Sequence, residues 1–185
     1  MRLSIALCFV FFAAQAGAGP RTDSCSKSVP QSLASAAKLA FPGYRMPRES
    51  DNLPEDIKYN RRHGGSGCLG VAAADLNGDS RRDYVLGLAA KTGAEGLAVI
   101  ALSDKEGWKF QKIRSWTEDT RARMYVSTVK PGKHERTASR DGPLEVGERE
   151  SIQCPRRGAL VGATESTGIV YCYINNQWPY VWVSN

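Results

Sequence analysis

The stretch Asp75-Leu76-Asn77-Gly78-Asp79-Ser80-Arg81-Arg82-Asp83 sets oxygen-bearing side chains at alternate positions along a short loop. Ca²⁺ is a hard cation that gathers about six to eight oxygen ligands around one point. Asp75, Asn77, Asp79 and Asp83 have the spacing to supply four of them. The backbone carbonyl of Arg81 adds a fifth, and water completes the shell. Three carboxylates crowded together without a cation repel one another, and a bound metal removes that cost. Asp, Asn and Gly also form metal-free turns. The register of the four oxygen positions favours the metal over the bare turn. An EF-hand is excluded: its loop needs Gly at the sixth position and Glu at the twelfth, where this chain has Ser80 and Leu86.

The segments on either side, Val71-Ala72-Ala73-Ala74 and Tyr84-Val85-Leu86, read as strands rather than helices. A strand–DxNGDxxxD–strand unit resembles the FG-GAP, or integrin-like (VCBS-type), repeat. That resemblance implies Ca²⁺ held between two strands of a propeller blade. Here the unit occurs once, so no propeller is implied, and Ser80 replaces the glycine usual at its place. More widely, Phe41-Pro42-Gly43-Tyr44, the Asp-rich loop, and the ending from Tyr171-Cys172-Tyr173 to Trp182-Val183-Ser184-Asn185 resemble a group of small exported bacterial proteins with one such loop. The resemblance implies no activity.

A second constellation points to acyl transfer. Ser35-Ala36-Ala37-Lys38, Ser50-Asp51-Asn52 and Lys91-Thr92-Gly93 follow the order of the S-x-x-K, S-D-N and K-T-G motifs of penicillin-recognising serine enzymes. Ser35 would be the nucleophile and Lys38 its neighbour one helical turn on. The interval argues against it: those enzymes place a sizeable helical domain between the first two motifs, and here only residues 39–49 intervene. His63-Gly64-Gly65-Ser66-Gly67 is glycine-rich like an oxyanion loop, but Cys68 stands where a nucleophile elbow needs its last glycine. Basic pairs recur at Arg61-Arg62, Arg81-Arg82 and Arg156-Arg157. Acidic residues are interspersed with them, so they read as solvated surface and not as a specific nucleic-acid site. Trp178, Tyr180 and Trp182 alternate and read as core packing.

The elements that must position these groups belong to an exported chain. Arg2 precedes about a dozen apolar residues, too short to span a bilayer, and Ala16-Gly17-Ala18 fits a signal-peptidase site. Residues 1–18 therefore read as a signal peptide and 19–30 as a flexible leader. Cleavage leaves about 167 residues, the size of one domain, with no later membrane-spanning segment. It also removes Cys8. Cys25, Cys68, Cys154 and Cys172 remain, an even set that reads as two disulfides with about three possible connectivities. Proximity near the last hairpin favours Cys154–Cys172, which leaves Cys25–Cys68. Zinc is disfavoured, because there is no C-x-x-C and His63 and His134 form no ligand pair.

Residues 32–41 read as a helix capped by Ser32, with Leu33, Ala36, Ala37 and Ala40 on one face. Residues 45–67 read as loop. Short apolar runs at 69–74, 84–90, 97–102 and 125–129 read as strands, with 108–116 an edge strand. Residues 130–148 read as an exposed loop, and 159–164, 169–174 and 180–183 as three closing strands. The expected fold is α+β with strands dominant: one N-terminal helix packed on a twisted antiparallel meander, forming a single domain over 31–185. The expected function is that of an exported, non-catalytic module, periplasmic or secreted. It would have a structural Ca²⁺ and a surface for an unidentified envelope or extracellular partner. The alternative is a Ser35/Lys38 acyl-enzyme.

Overall fold

The computed structural model describes residues 23–117 and 122–184. The expected signal peptide and the first part of the leader lie outside the described residues. From residue 23 the expected flexible leader is corrected. Asp23 caps a one-turn helix α1 (Ser24–Lys27) by accepting the N–H of Cys25 at 2.9 Å, and Cys25 is buried in a disulfide to Cys68. Polar composition reads as flexible, but a cross-link that ties Cys25 to the body of the domain overrides it.

Helix α2 (Gln31–Ala40) starts one residue before the expected helix, and Pro30 rather than Ser32 sits at its N-cap. Strand β1 (Tyr44–Arg45) and a 3₁₀ turn (Glu49–Asp51) lead into α3 (Pro54–Arg62). The expected loop at 45–67 is therefore largely structured. Its start and stop signals were present, with Pro54 in the first turn, Glu55 and Asp56 beside it, and Arg61 and Arg62 in the last turn. No residue of α3 is buried, so it has no apolar stripe to betray it.

The strands follow as β2 (Val71–Ala74), β3 (Asp83–Ala90), β4 (Gly96–Asp104), β5 (Gly107–Trp116), β6 (Met124–Val129), β7 (Gly132–Glu135), β8 (Ser151–Cys154), β9 (Gly158–Ala163), β10 (Thr167–Tyr171) and β11 (Tyr180–Ser184). All are paired antiparallel, but not in one meander. One sheet runs β1-β3-β4-β5, with β2 beside β1 on the same side of β3. A second runs β11-β10-β9-β6, and β7 pairs with β8 as a third. The expected loop at 130–148 thus contains a strand, β7. Its partner β8 lies beyond a long excursion, and pairing at that distance leaves no local signal.

The strand patterns show why three cores form. Along β3 and β4 nearly every residue is buried, because both faces of that sheet are covered. Val85, Ala98 and Ile100 point into a core shared with Val126, Val161 and Ile169 of the second sheet. Their neighbours Leu86, Leu88, Leu97 and Val99 point the other way, into a core with Leu33 and Ala37 of α2. The far face of the second sheet buries Val170 and Val181 against Ile152 and the Cys154–Cys172 disulfide. Three α-helices are present among the described residues, in place of the single helix expected.

Candidate functional site

The Asp-rich loop joins β2 to β3, which pair antiparallel from Val71 opposite Leu86 to Ala74 opposite Asp83. Gly78 and Ser80 have positive φ, 85° and 65°, and these two left-handed residues coil the chain. Such a φ is free for Gly78 and strained for Ser80. Leu76 points down from the loop and is fully buried in the core between the sheets.

The oxygens of the loop face two ways. Asp75 accepts the backbone N–H groups of Gly78 at 2.6 Å and Ser80 at 2.9 Å. Asn77 accepts the N–H of Asp79 at 3.0 Å. Asp79 accepts the N–H of Arg81 at 2.9 Å on one oxygen. Its other oxygen takes the Arg81 guanidinium at 3.0 Å and the Asn77 amide at 3.1 Å. Burial opposes ionisation of Asp79, but these donors outweigh it and hold the carboxyl below its usual range. Asp83 is different. It is wholly buried beneath the turn and accepts the N–H of Leu76 and of Ser103, each at 2.9 Å. Burial pushes its carboxyl above the usual range. It anchors the loop to β4, whereas Asp75, Asn77 and Asp79 lie nearer the surface.

Two cations lean over the turn. Arg81 pairs with Asp79, and a Cβ placed on Gly78 would fall 2.5 Å from Nε of Arg156. The donors match a hard cation in kind, and a carboxylate oxygen that accepts one N–H keeps a second lone pair. The side chains are turned to backbone N–H groups rather than to a common centre, and no ready group of three or more acidic, His or Cys ligands occurs among the described residues. Uptake of an ion at this loop entails turning Asp75 and Asp79 toward one point and releasing Arg81.

A cleft of about 970 Å³ opens elsewhere, between the two main sheets. Val71 and Ala72 of β2 form one wall and Tyr125, Val126 and Ser127 of β6 the other. Helix α3 reaches it through Glu55, Asp56 and Tyr59, and Glu165 closes the rim. The His63–Gly67 stretch contributes His63, Gly64, Gly65 and Ser66 to this cleft. The imidazole of His63 lies 4.0 Å, centre to centre, from the ring of Tyr59, and its Nδ1 is 2.8 Å from the Tyr59 carbonyl. Asp56 accepts the hydroxyl of Thr164 at 3.0 Å, which ties α3 to the end of β9. Sequence reasoning passed over this cleft because its walls come from segments far apart in the chain.

The acyl-transfer motifs fall outside it. Ser35 and Lys38 are exposed on α2, Ser50 is exposed in the 3₁₀ turn, and Lys91 is exposed after β3. None of them lines the cleft. Trp182 lies between two guanidiniums, Arg114 at 5.0 Å and Arg140 at 4.4 Å, while Trp178 meets Tyr173 at 5.0 Å. Both tryptophans are partly buried against the core between the sheets. Cys25–Cys68 and Cys154–Cys172 are both bonded, as proximity suggested. Two disulfides in a chain of this size mark a non-cytoplasmic protein. Among the described residues no helix is long and apolar enough to cross a membrane. Comparison with protein-family models, with curated proteins and with solved structures yields no significant match.

Proposed function

We propose that this chain is an exported, non-catalytic binding module whose Asp75–Asp83 loop takes one structural Ca²⁺. The observation that carries the reading is the coiled turn itself. Asp75, Asn77 and Asp79 present oxygens at alternate positions near the surface, and Asp83 fastens the base of the turn to β4. Bound there, Ca²⁺ would supply charge neutralisation and rigidity, and no bond-making chemistry. Asp75, Asn77, Asp79 and the Arg81 carbonyl would hold it, with Asp83 as ligand or anchor beneath. Arg81 is the resident counter-charge that the ion replaces. A partner, either a protein or another envelope component, would engage a surface away from this loop.

Extracellular modules bind Ca²⁺ with dissociation constants on the order of 10⁻⁴ to 10⁻³ M. At tenfold excess, linkage then adds about 1.4 kcal/mol, which raises the melting temperature of a domain this size by a few degrees. The test is thermal melting of wild type and Asp79→Ala in EDTA, in excess Ca²⁺ and in excess Mg²⁺. The expected result is a rise with Ca²⁺ that exceeds the rise with Mg²⁺ and is absent from Asp79→Ala. A wild-type melting temperature that Ca²⁺ leaves at its EDTA value, with no heat of binding in calorimetry, refutes the metal.

A further inference from the structure

Asn77 is followed by glycine, and no other asparagine of the chain is. Asn52, Asn60, Asn175 and Asn176 precede Leu53, Arg61, Asn176 and Gln177, whose side chains crowd the next peptide nitrogen. Asparagine is a thermolabile residue. Attack on its side-chain amide carbon by the nitrogen of the next residue closes a five-membered ring, and the two groups are held together by the chain itself. Gly78 carries no Cβ to hinder that approach.

The folded turn sets a group at each point where such an attack needs one. The N–H of Gly78 donates to Oδ1 of Asp75 at 2.6 Å, so a carboxylate stands within reach of the proton that must leave. Oδ1 of Asn77 accepts the N–H of Asp79 at 3.0 Å, and a donor there stabilises negative charge as it builds on that oxygen. Nδ2 of Asn77, the leaving nitrogen, donates to Oδ2 of Asp79 at 3.1 Å. Arg156 leans on Gly78, which puts a cation beside the attacking nitrogen as it loses its proton. An N–H lies in the plane of its peptide unit, whereas the nitrogen attacks along the perpendicular. The contact with Asp75 and the approach to Asn77 are therefore compatible. Gly78 is exposed and Asn77 half-buried, so water has access to the product.

We infer that Asn77 is a self-modification site, at which the folded turn converts the side-chain amide into a carboxylate. Asp75 takes the proton of the Gly78 nitrogen, whose electron pair forms a bond to Cγ of Asn77. The Cγ–Nδ2 bond breaks, and Nδ2 leaves with that proton as ammonia. Water then opens the cyclic imide at either of its carbonyls. The sum is amide plus water giving carboxylic acid plus ammonia, with no change of oxidation state and water as the only co-reactant.

One opening leaves aspartate at position 77. The other leaves isoaspartate, with the backbone rerouted through the side chain and lengthened by a methylene. Either product adds a negative charge to a turn that already holds Asp75, Asp79 and Asp83, and isoaspartate also changes the path of the chain between Leu76 and Gly78. The inference does not rest on the Ca²⁺ reading. Every measurement that tests it is made in EDTA, so its failure leaves the Ca²⁺ result standing and the converse holds too.

The test incubates the oxidised protein in EDTA near neutral pH for days and follows each asparagine by peptide mapping with mass spectrometry. Isoaspartate is read separately by enzymatic methylation. Asn77 is expected to gain the mass of an amide-to-acid exchange at least about tenfold faster than Asn52, Asn60, Asn175 or Asn176, whose next residues carry a Cβ. It is expected to do so at least as fast as in an unstructured synthetic peptide of residues 73–83, because only the fold holds the proton acceptor in place. Asp75→Asn keeps an oxygen to accept the Gly78 N–H but is a far weaker base, and it is expected to slow the conversion about tenfold or more. The comparison of wild type with peptide needs no variant, so it carries the test even where Asp75→Asn does not fold. Slower conversion in the folded wild type than in the peptide overturns the inference, because the hydrogen bonds then restrain the turn instead of assisting the attack. It is equally overturned by a folded Asp75→Asn that converts at the wild-type rate, or by another asparagine that loses its amide before Asn77 does.

Discussion

Glu148 sits in a segment that reads as exposed loop, yet its side chain is fully buried. One oxygen accepts Nε of Arg136 at 2.9 Å, and the other accepts the N–H of Glu145 at 2.9 Å. Arg136 is itself largely buried, and its remaining contacts are the Gly142 carbonyl at 3.1 Å and the exposed Glu150 at 3.6 Å. Replacing Glu148 by alanine leaves a nearly buried guanidinium and a backbone N–H without their partners. Breaking a buried ion pair in this way costs about 3–5 kcal/mol. Arg136 keeps some contact with water and Glu150, which places the expected loss near 3 kcal/mol, a fall of about 6–12 °C in melting temperature for a domain of this size.

The pH dependence has a definite sign. Burial raises the Glu148 carboxyl, but the Glu145 N–H and Arg136 outweigh it, and the net position is below the ordinary 4.5. A carboxyl depressed in the folded state contributes stability that is present above its unfolded value and lost as pH falls through its folded value. The gap between wild type and Glu148→Ala should therefore be full near neutrality and shrink below pH 4.5. Differential scanning calorimetry on both proteins from about pH 7 to about pH 3 measures it. A variant that melts within about 2 °C of wild type near neutrality refutes the reasoning, and so does a gap that is unchanged in acid.

Other outcomes follow from the same geometry. Glu49 accepts the N–H of Ser24 at 2.9 Å and pairs with Arg61 at 2.6 Å, and these contacts lower its carboxyl to about 2. Glu49→Gln should therefore loosen α1 against α3, an effect seen as faster amide exchange at Ser24, present above pH 4.5 and lost as pH falls toward 2. Leu76→Ala empties a fully buried site between the sheets and should cost about 2–5 kcal/mol. It should nonetheless leave the Ca²⁺-induced rise intact, a combination that separates damage to the core from loss of a ligand. Protein recovered after export should begin near Gly19, and titration under denaturant should detect no free thiol; an intact Met1 or two reactive thiols contradicts the reading.

Local patterns made much of this chain legible. The runs at 84–90 and 97–102 became β3 and β4 because both faces of that sheet are covered, and a strand buried on both faces is apolar throughout. The turn residues of the loop at 75–83, with its glycine and alternating oxygens, announced a coiled turn between strands, and β2 and β3 supply those strands. An even set of four cysteines announced two cross-links, and short separation near the last hairpin picked their partners. These signals are local: each depends on residues within a turn, a strand or a hairpin of one another.

What lay beyond reach depended on contacts between distant segments. Helix α3 buries nothing of its own, so no periodicity marks it, and only its placement over the cleft makes it part of a site. Glu148 looks like any loop carboxylate until Arg136, from the strap that follows β7, closes over it. Asp83 reads as one more oxygen ligand, but the approach of Ser103 on β4 makes it the buried anchor of the turn. The cleft exists because β2 and β6 belong to two different sheets, tied together beside it by the hydrogen bond from Val126 to the Leu69 carbonyl. Residue type and spacing determine which backbone forms are cheap and which side chains can bear chemistry. Which of those side chains are desolvated, which are held by a partner and which face an open groove is decided only when the sheets pack, because burial and Coulomb energy depend on distance in space and not on distance along the chain.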